Sequence, residues 1–246
     1  KELQQRGKLS TSDICDLLDI SPATARRLTA ELCSNGSALR IHGGIRTIPD
    51  SSPAYSYETN TNEFADEKRR MAEYAISAIQ DNSTIFLETG TTVYQCALAL
   101  ASRIQEKSLK NIMVFTNSLP NMRILSPLTK TTLIGGTYRP EWEGFDGNLC
   151  ERFLQSFYFN HTILGADAIH PIHGLMSLDF DAADIDAALL RQSDNVIVVA
   201  HSTKFGINSF MSYAALGDVH TIVTDSGLSD SDLAVYQNKG ANIVRV

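Results

Sequence analysis

The sequence predicts an α/β protein of two unequal parts: a small helical head carrying a β-hairpin, and a larger body built on a parallel sheet. Three observations carry this. Charge divides unevenly along the 246 residues, whose net charge is −7: residues 1–48 hold seven Lys and Arg against five Asp and Glu, and the remainder fourteen against twenty-three. The stretch Pro49-Asp50-Ser51-Ser52-Pro53-Ala54-Tyr55-Ser56-Tyr57 is rich in Pro, Ser and Tyr and has no helical period. After it, short β-branched runs alternate with helical patterns, as in a parallel sheet covered on both faces. The expected domains are therefore 1–48, a linker over 49–63, and a body over 64–246.

Punctuation defines the head. Ser10-Thr11-Ser12-Asp13 starts a short helix whose apolar residues Ile14, Leu17 and Leu18 fall on one face at i, i+3 and i+4. Asp19-Ile20-Ser21 interrupts it. Ser21-Pro22-Ala23-Thr24 starts a second helix, with Ser as the cap and Pro at the first helical position, where a missing N–H costs nothing. Ala25, Leu28 and Leu32 share its inner face, which leaves Thr24, Arg26 and Arg27 outside. Asn35-Gly36 is the stop, and Leu39 to Ile48 forms two short arms about a Gly43-Gly44 turn. Helix, tight turn, helix and hairpin describe a winged helix-turn-helix. Its second helix is expected in the major groove of double-stranded DNA, with Ser21, Thr24, Arg26 and Arg27 at bases or phosphates. The wing residues Arg40, His42 and Gly43 are expected along the DNA backbone. Four arginines from Arg26 to Arg46, against one acid, favour this over a plain helical hairpin with a solvated arginine pair.

In the body, Phe64 to Gln80 reads as a helix, charged at its start and apolar at Ala72, Ile76 and Ile79. Strands are expected at Thr84–Leu87, Ile112–Thr116, Thr131–Ile134, Thr162–Leu164, Val196–Ala200 and Thr221–Thr224. Helices are expected at Val93–Ile104, Asp184–Gln192 and Ser229–Asn238.

Composition excludes several classes. Hydrophobic residues at 43% against 20% charged suffice for a globular core, so wholesale disorder and coiled coil are out. The longest apolar run, around Val196-Ile197-Val198-Val199, is strand-length and far short of the ~20 residues of a membrane span. The chain opens Lys1-Glu2-Leu3 without an initiator Met or an apolar signal segment, so it is expected to be cytoplasmic and to lack a few residues at its front. Cys15, Cys33, Cys96 and Cys150 are widely separated with no C-x-x-C, which predicts free thiols and neither metal nor cofactor.

Ligands of parallel sheets bind at the carboxyl ends of the strands, and those loops are informative here. The first strand runs through Glu88-Thr89-Gly90-Thr91-Thr92 into a helix, a turn that offers N–H groups and hydroxyls to an anion. Others end in Thr116-Asn117-Ser118, Gly135-Gly136-Thr137, Gly165-Ala166-Asp167 and Ala200-His201-Ser202-Thr203-Lys204. Together they predict a pocket for a small phosphorylated or acidic polyol, with Glu88, Gly90, Thr91, Thr92, Thr116, Asn117, Gly135, Gly136, Asp167 and Lys204 at the ligand. Lys204 is the expected phosphate partner.

These residues also resemble a known family. Ser21-Pro22-Ala23-Thr24-Ala25-Arg26-Arg27, followed by Arg40-Ile41-His42-Gly43-Gly44, is similar to the head signature of DeoR-family transcriptional regulators. Glu67-Lys68, Gly90-Thr91-Thr92, Thr116-Asn117-Ser118, Gly135-Gly136, Leu164-Gly165-Ala166-Asp167 and Ser202-Thr203-Lys204-Phe205-Gly206 follow in the family's order. The resemblance implies a winged DNA reader and a sensor domain similar in fold to ribose-5-phosphate isomerase and the CoA-transferases. It further implies repression of a sugar-utilisation operon, released by a phosphorylated sugar or related acidic metabolite, and a homodimer or homotetramer. The chain departs from the pattern at Leu28-Thr29 (Asp-Leu in the family), at Glu88 and His201 (Asp in each case), and at Asp186-Ala187 (often Lys-Arg), so its ligand is expected to differ from the usual one.

The rival reading is an enzyme of the sugar-phosphate isomerase type on the same fold. That chemistry needs a general base beside the aldose C–H, and Leu164 stands where the isomerase loop has its first carboxylate. Asp167, His170 and His173 lie close in sequence, but Pro171 and Gly174 make a loop with no helical face to define metal geometry, so a solvated loop is expected. Trp142 is expected in core or interface packing, with a place over the pocket mouth as the alternative. His201 reads equally as a core histidine or as a titrating group near the ligand.

Overall fold

In the computed structural model residues 8–34, 39–41, 44–46 and 57–246 are described, and the chain divides into two compact units, Lys1–Ala54 and Tyr55–Val246. The first holds β1 (Lys8–Ser10), α1 (Thr11–Leu18), α2 (Pro22–Ser34), β2 (Leu39–Ile41) and β3 (Gly44–Arg46). Ser10 starts α1 through a capping box: its Oγ accepts from the Asp13 N–H at 3.1 Å while the Asp13 carboxylate accepts from the Ser10 N–H at 2.7 Å. Asp19 ends the helix at φ 52°. The Ser21 carbonyl accepts the first bond of α2, from Ala25, and its Oγ accepts from the Thr24 N–H at 3.3 Å.

The wing hairpin gains a third strand, in the antiparallel order β1-β3-β2. Leu9, Ile14, Ala25 and Ile45 form the core of this unit. Two expected faces are corrected. On α1 only Ile14 is buried, while Leu17 and Leu18 are 40% and 57% exposed. On α2 the buried place four residues after Ala25 belongs to Thr29, with Leu28 half-buried; the Thr29 hydroxyl is satisfied by donating to the Arg26 carbonyl at 2.9 Å. The expected stop at Asn35-Gly36 and the wing tip His42-Gly43 lie outside the described residues.

The second unit opens with α3 (Tyr57–Asn62), which falls inside the stretch expected as linker. Little in Tyr-Glu-Thr-Asn-Thr-Asn favours helix, and tertiary contact holds the turn: the Tyr57 N–H donates to Glu141 O at 3.1 Å, and Asn60 O accepts from Lys68. In chain order follow α4 (Ala65–Ser77), β4 (Thr84–Leu87), α5 (Thr91–Gln105), β5 (Met113–Thr116), α6 (Leu119–Leu125), β6 (Lys130–Leu133), β7 (Thr137–Arg139), β8 (Gly144–Asp146) and α7 (Asn148–Leu154). The chain continues with β9 (Phe159–Leu164), β10 (Ala168–His170), β11 (Gly174–Ser177), α8 (Phe180–Arg191), β12 (Ser193–Val199), β13 (Met211–Ala214), β14 (Thr221–Thr224), α9 (Asp230–Gln237) and β15 (Ile243–Arg245).

Seven strands form one sheet in the order β15-β14-β12-β9-β4-β5-β6, with every pair parallel. All six expected strands are in it, and β15 extends the edge. Successive residues serve opposite faces, as the period of two requires. Ile85, Leu87, Ile163, Ile197 and Val199 pack with α4 and α5 on one side, and Phe86, Leu164, Val196 and Val198 pack with α7, α8 and α9 on the other. Two smaller antiparallel units, β10-β11-β13 and the hairpin β7-β8, stand apart from this sheet. From β4 the chain winds toward β6, and from β9 toward β15. The strand order therefore reverses between β4 and β9, which opens a crevice at their carboxyl ends.

Candidate functional site

A cavity of about 200 Å³ lies at that crevice. Seven of the ten expected ligand residues line it: Glu88, Gly90, Thr91, Thr92, Asn117, Asp167 and Lys204. Glu88 leaves the end of β4 and spans the crevice, its Oε2 accepting from the Gly165 N–H beyond β9 at 2.9 Å. Asp167 Oδ2 accepts from Ser177 Oγ at 3.1 Å and from the Leu178 N–H at 3.0 Å. Asn117 anchors through Nδ2 to Phe145 O at 3.0 Å, which leaves its Oδ1 buried without a partner.

At the start of α5, Gly90 holds φ at 107°, a conformation that disfavours any side chain, and no side chain caps the helix. The first residues of α5, Thr91, Thr92 and Val93, line the cavity, and a helix start is a place that favours negative charge. Lys68, from the charged start of α4, is 6% exposed and donates to Thr91 Oγ1 at 2.9 Å and to Asn60 O at 2.5 Å. Burial, helped by the Lys204 charge and opposed by Glu63, brings its pKa down to about 8. Lys204 sits in a single 3₁₀ turn, Ser202–Lys204, and lines the same cavity.

Three expected ligand residues do not reach it. Thr116 is fully buried and spends its hydroxyl on Leu87 O at 2.6 Å, joining β5 to β4. Gly135 and Gly136 follow β6 and are not part of the lining. The close backbone approach expected at the glycine pair exists, but to the protein itself: a Cβ on Gly136 would stand 2.2 Å from Asp146 O.

Lys68, Asp186 and Tyr213 are among the further lining residues and were not expected there. Asp186 comes from the middle of α8, 5% exposed, with Oδ1 unpartnered. Burial, then the charges of Glu88 and Asp167, raise its pKa well above the usual carboxylate range. Burial likewise pushes Glu88 up to about 7, with Asp167 adding to the rise and the Gly165 N–H opposing it. The cavity thus combines two lysines and a helix N-terminus with five carboxylates, Glu63, Glu88, Asp146, Asp167 and Asp186, a set suited to a ligand that has one anionic end and one end rich in donors.

His201 is buried, as a core histidine is. It lines the cavity, yet it is 9% exposed, stacks on Phe64 at 3.8 Å, and lies 3.5 Å from Asp225. Trp142 lines the cavity half-buried. Asp167, His170 and His173 do not converge. His170 Nδ1 accepts the Ile172 and His173 amides while the two rings stack at 4.7 Å.

In the first unit Ser21, Arg26 and Arg27 are exposed and Thr24 is half-buried. Arg40 lies on β2, and His42 and Gly43 lie outside the described residues. Among the described residues no helix is long and apolar enough to cross a membrane.

Among solved structures the chain is similar to ribose 5-phosphate isomerase from Plasmodium falciparum, with a TM-score of 0.43 and 19% identity over 57% of this chain and 53% of that one. It is 30% identical to the lactose phosphotransferase system repressor of Staphylococcus epidermidis, over 92% of this chain and 89% of that protein. It is 28% identical to the glycerol-3-phosphate regulon repressor of Escherichia coli and 27% identical to the HTH-type transcriptional regulator IolR of Bacillus subtilis, each over 91% of this chain and 87% of the relative. Residues 1–50 match the family model described as the DeoR-like helix-turn-helix domain, and residues 63–226 the one described as the DeoR C-terminal sensor domain. The relatives and the two family models are those of DNA-binding regulators rather than of enzymes. Both units fall within one family, and the chain belongs to the DeoR transcriptional regulators.

Proposed function

We infer that this regulator is a cytoplasmic repressor of a sugar-utilisation operon, working as a homodimer or homotetramer. Its head, residues 1–48, reads operator DNA, and its body, residues 64–246, holds a phosphorylated sugar or related acidic metabolite that releases the DNA. The observation that carries the ligand class is the meeting of Lys68, Lys204 and the uncapped start of α5 in one cavity. A phosphomonoester brings nearly two charges and several acceptor oxygens, which two ammonium groups and the N-terminus of a helix would satisfy. Relatives named for a lactose phosphotransferase system and a glycerol-3-phosphate regulon support a phosphorylated metabolite. For the head, the exposed Arg26 and Arg27 on a helix capped by Ser21 support DNA contact.

The test is calorimetric titration of sugar phosphates into the full chain, with and without DNA from upstream of its own gene cluster. Ligand and DNA should weaken one another by the same factor, and a coupling of about 1–3 kcal/mol gives roughly a five- to hundredfold switch. Lys204→Ala should bind that DNA normally and fail to release it. Equal ligand affinity in both states excludes release by inducer, and binding of unphosphorylated sugars alone excludes the phosphate role.

A further inference from the structure

The cavity has a surplus of acceptors. Asn117 Oδ1, Asp146 Oδ1 and Asp186 Oδ1 are buried in its lining without a hydrogen-bond partner among the described residues, against one such donor, the Tyr213 hydroxyl. Asp186 is 5% exposed, and Glu88 and Asp167 are near enough for their charges to oppose its ionisation. At Asp146, in the same lining, the fold supplies its own cation. Asp146, Asp179 and Asp181 bring oxygens within 4.8 Å of one another, and Arg139 reaches all three, at 2.7, 3.8 and 3.3 Å. Among the described residues, Glu88, Asp167 and Asp186 have no such cation, and no cation is among the groups that shift Glu88 or Asp186. Three acids facing a ligand cavity, one of them buried and unpartnered, amount to a site waiting for positive charge.

We propose that the ligand carries a protonated amine besides its phosphate, and that Glu88, Asp167 and Asp186 receive that amine. An amino-sugar phosphate is the class this describes. The proposal rests on the phosphate reading above and adds the second end of the ligand. A sugar hydroxyl could donate one hydrogen to one of these oxygens, but it would leave the mutual repulsion of the acids in place. An ammonium donates up to three hydrogens to whichever of these oxygens it reaches, and its charge offsets the repulsion among the acids without their oxygens having to converge on one point. A divalent cation fits less well. It needs its oxygens within about 2.6 Å of one centre, and among the described residues the only acidic group converging to 4.8 Å is the one that Arg139 already occupies.

The experiment titrates the full chain with glucosamine 6-phosphate, glucose 6-phosphate and inorganic phosphate, with Mg²⁺ as a separate probe. Glucosamine 6-phosphate should bind at least tenfold more tightly than its hydroxyl counterpart. Asp186→Asn, which keeps shape and removes charge, should reduce that preference to within threefold while inorganic phosphate binds as before; Glu88→Gln should move it the same way. In Lys204→Ala both sugars should weaken and the ratio between them should persist. Equal binding of the two sugars, a preference that survives in both acid variants, no binding of the amine, or stabilisation by Mg²⁺ through Asp186 would each overturn the amine subsite. Failure of inorganic phosphate to compete, with Lys204→Ala unchanged, would instead overturn the phosphate reading, and an amine preference retained there would leave the acid subsite standing.

Discussion

Replacing Glu88 by Gln should stabilise the empty protein, and only above a certain pH. Burial in the crevice pushes the Glu88 carboxyl up to about 7 from an ordinary value of 4.5. Between those values the unfolded chain has lost the proton and the folded chain keeps it, so stability falls as pH rises. The full penalty is present above about pH 7. A shift of that size corresponds to about 3 kcal/mol at 1.36 kcal/mol per unit, and the partial exposure of the side chain reduces it to about 2 kcal/mol. Gln carries no charge, and its amide oxygen can still accept the Gly165 N–H. The variant should therefore match the parent near pH 4.5 and exceed it by about 2 kcal/mol at pH 8, roughly 4–8 °C in Tm for a unit of this size. Easier ionisation of Asp186 once its neighbour is neutral adds in the same direction. Trp142, the sole tryptophan, lines the cavity and reports unfolding of this unit by fluorescence. A stability difference that does not change between pH 4.5 and 8, or a variant weaker than the parent at pH 8, refutes the argument.

Arg26→Ala and Arg27→Ala should weaken DNA binding without altering the fold or the ligand affinity. A phosphate contact would reduce the salt slope by about 1, and a base contact would cost roughly 1–3 kcal/mol at one operator position, as read by binding isotherms across salt and sequence. Arg139→Ala should cost about 1–2 kcal/mol, discounted for partial exposure, and should create what the parent lacks: stabilisation by millimolar Ca²⁺ in a thermal melt, through the three released carboxylates. Gly136→Ala should cost about 2 kcal/mol or more in denaturant unfolding, because its Cβ would meet the Asp146 carbonyl, a backbone atom that cannot move aside.

What could be read in advance follows from where each signal is local. The six parallel strands were legible because strands buried on both faces show as short apolar runs, as in Thr84–Leu87 and Val196–Val199. The strands Lys8–Ser10, Thr137–Arg139 and Gly144–Asp146 have three residues each, too few to show a period; the first pairs with distant Gly44–Arg46, and the other two pair with each other as a hairpin. Helical Tyr57–Asn62 likewise depends on Glu141 and Lys68. Most of the loops that line the cavity were legible because the carboxyl edge of a parallel sheet is a general binding place. Lys68 and Asp186 were not, because a charge in an amphipathic helix reads as part of a solvated face, and only the packing of α4 and α8 against the cavity turns these two inward. Thr29 makes the reverse point: a polar residue takes a core position because an adjacent carbonyl accepts its hydroxyl hydrogen.

Lys68 repays a count of hydrogens. An ammonium has three; here one goes to the Asn60 carbonyl on α3 and one to Thr91 at the head of α5. The third has no partner among the described residues, so an anion in the cavity can take it without breaking either bond. The bound charge then draws the lysine's proton more firmly into place, because a group whose pKa is only about 8 is part neutral in mildly alkaline solution. Filling the cavity therefore tightens the grip on Asn60, in the first helical turn after the stretch that joins the two units. Amides of α3 should exchange more slowly with solvent deuterium when the ligand is present, and Lys68→Met should remove that slowing. In this chain the same side chain that lines the cavity also fastens the place where the body begins.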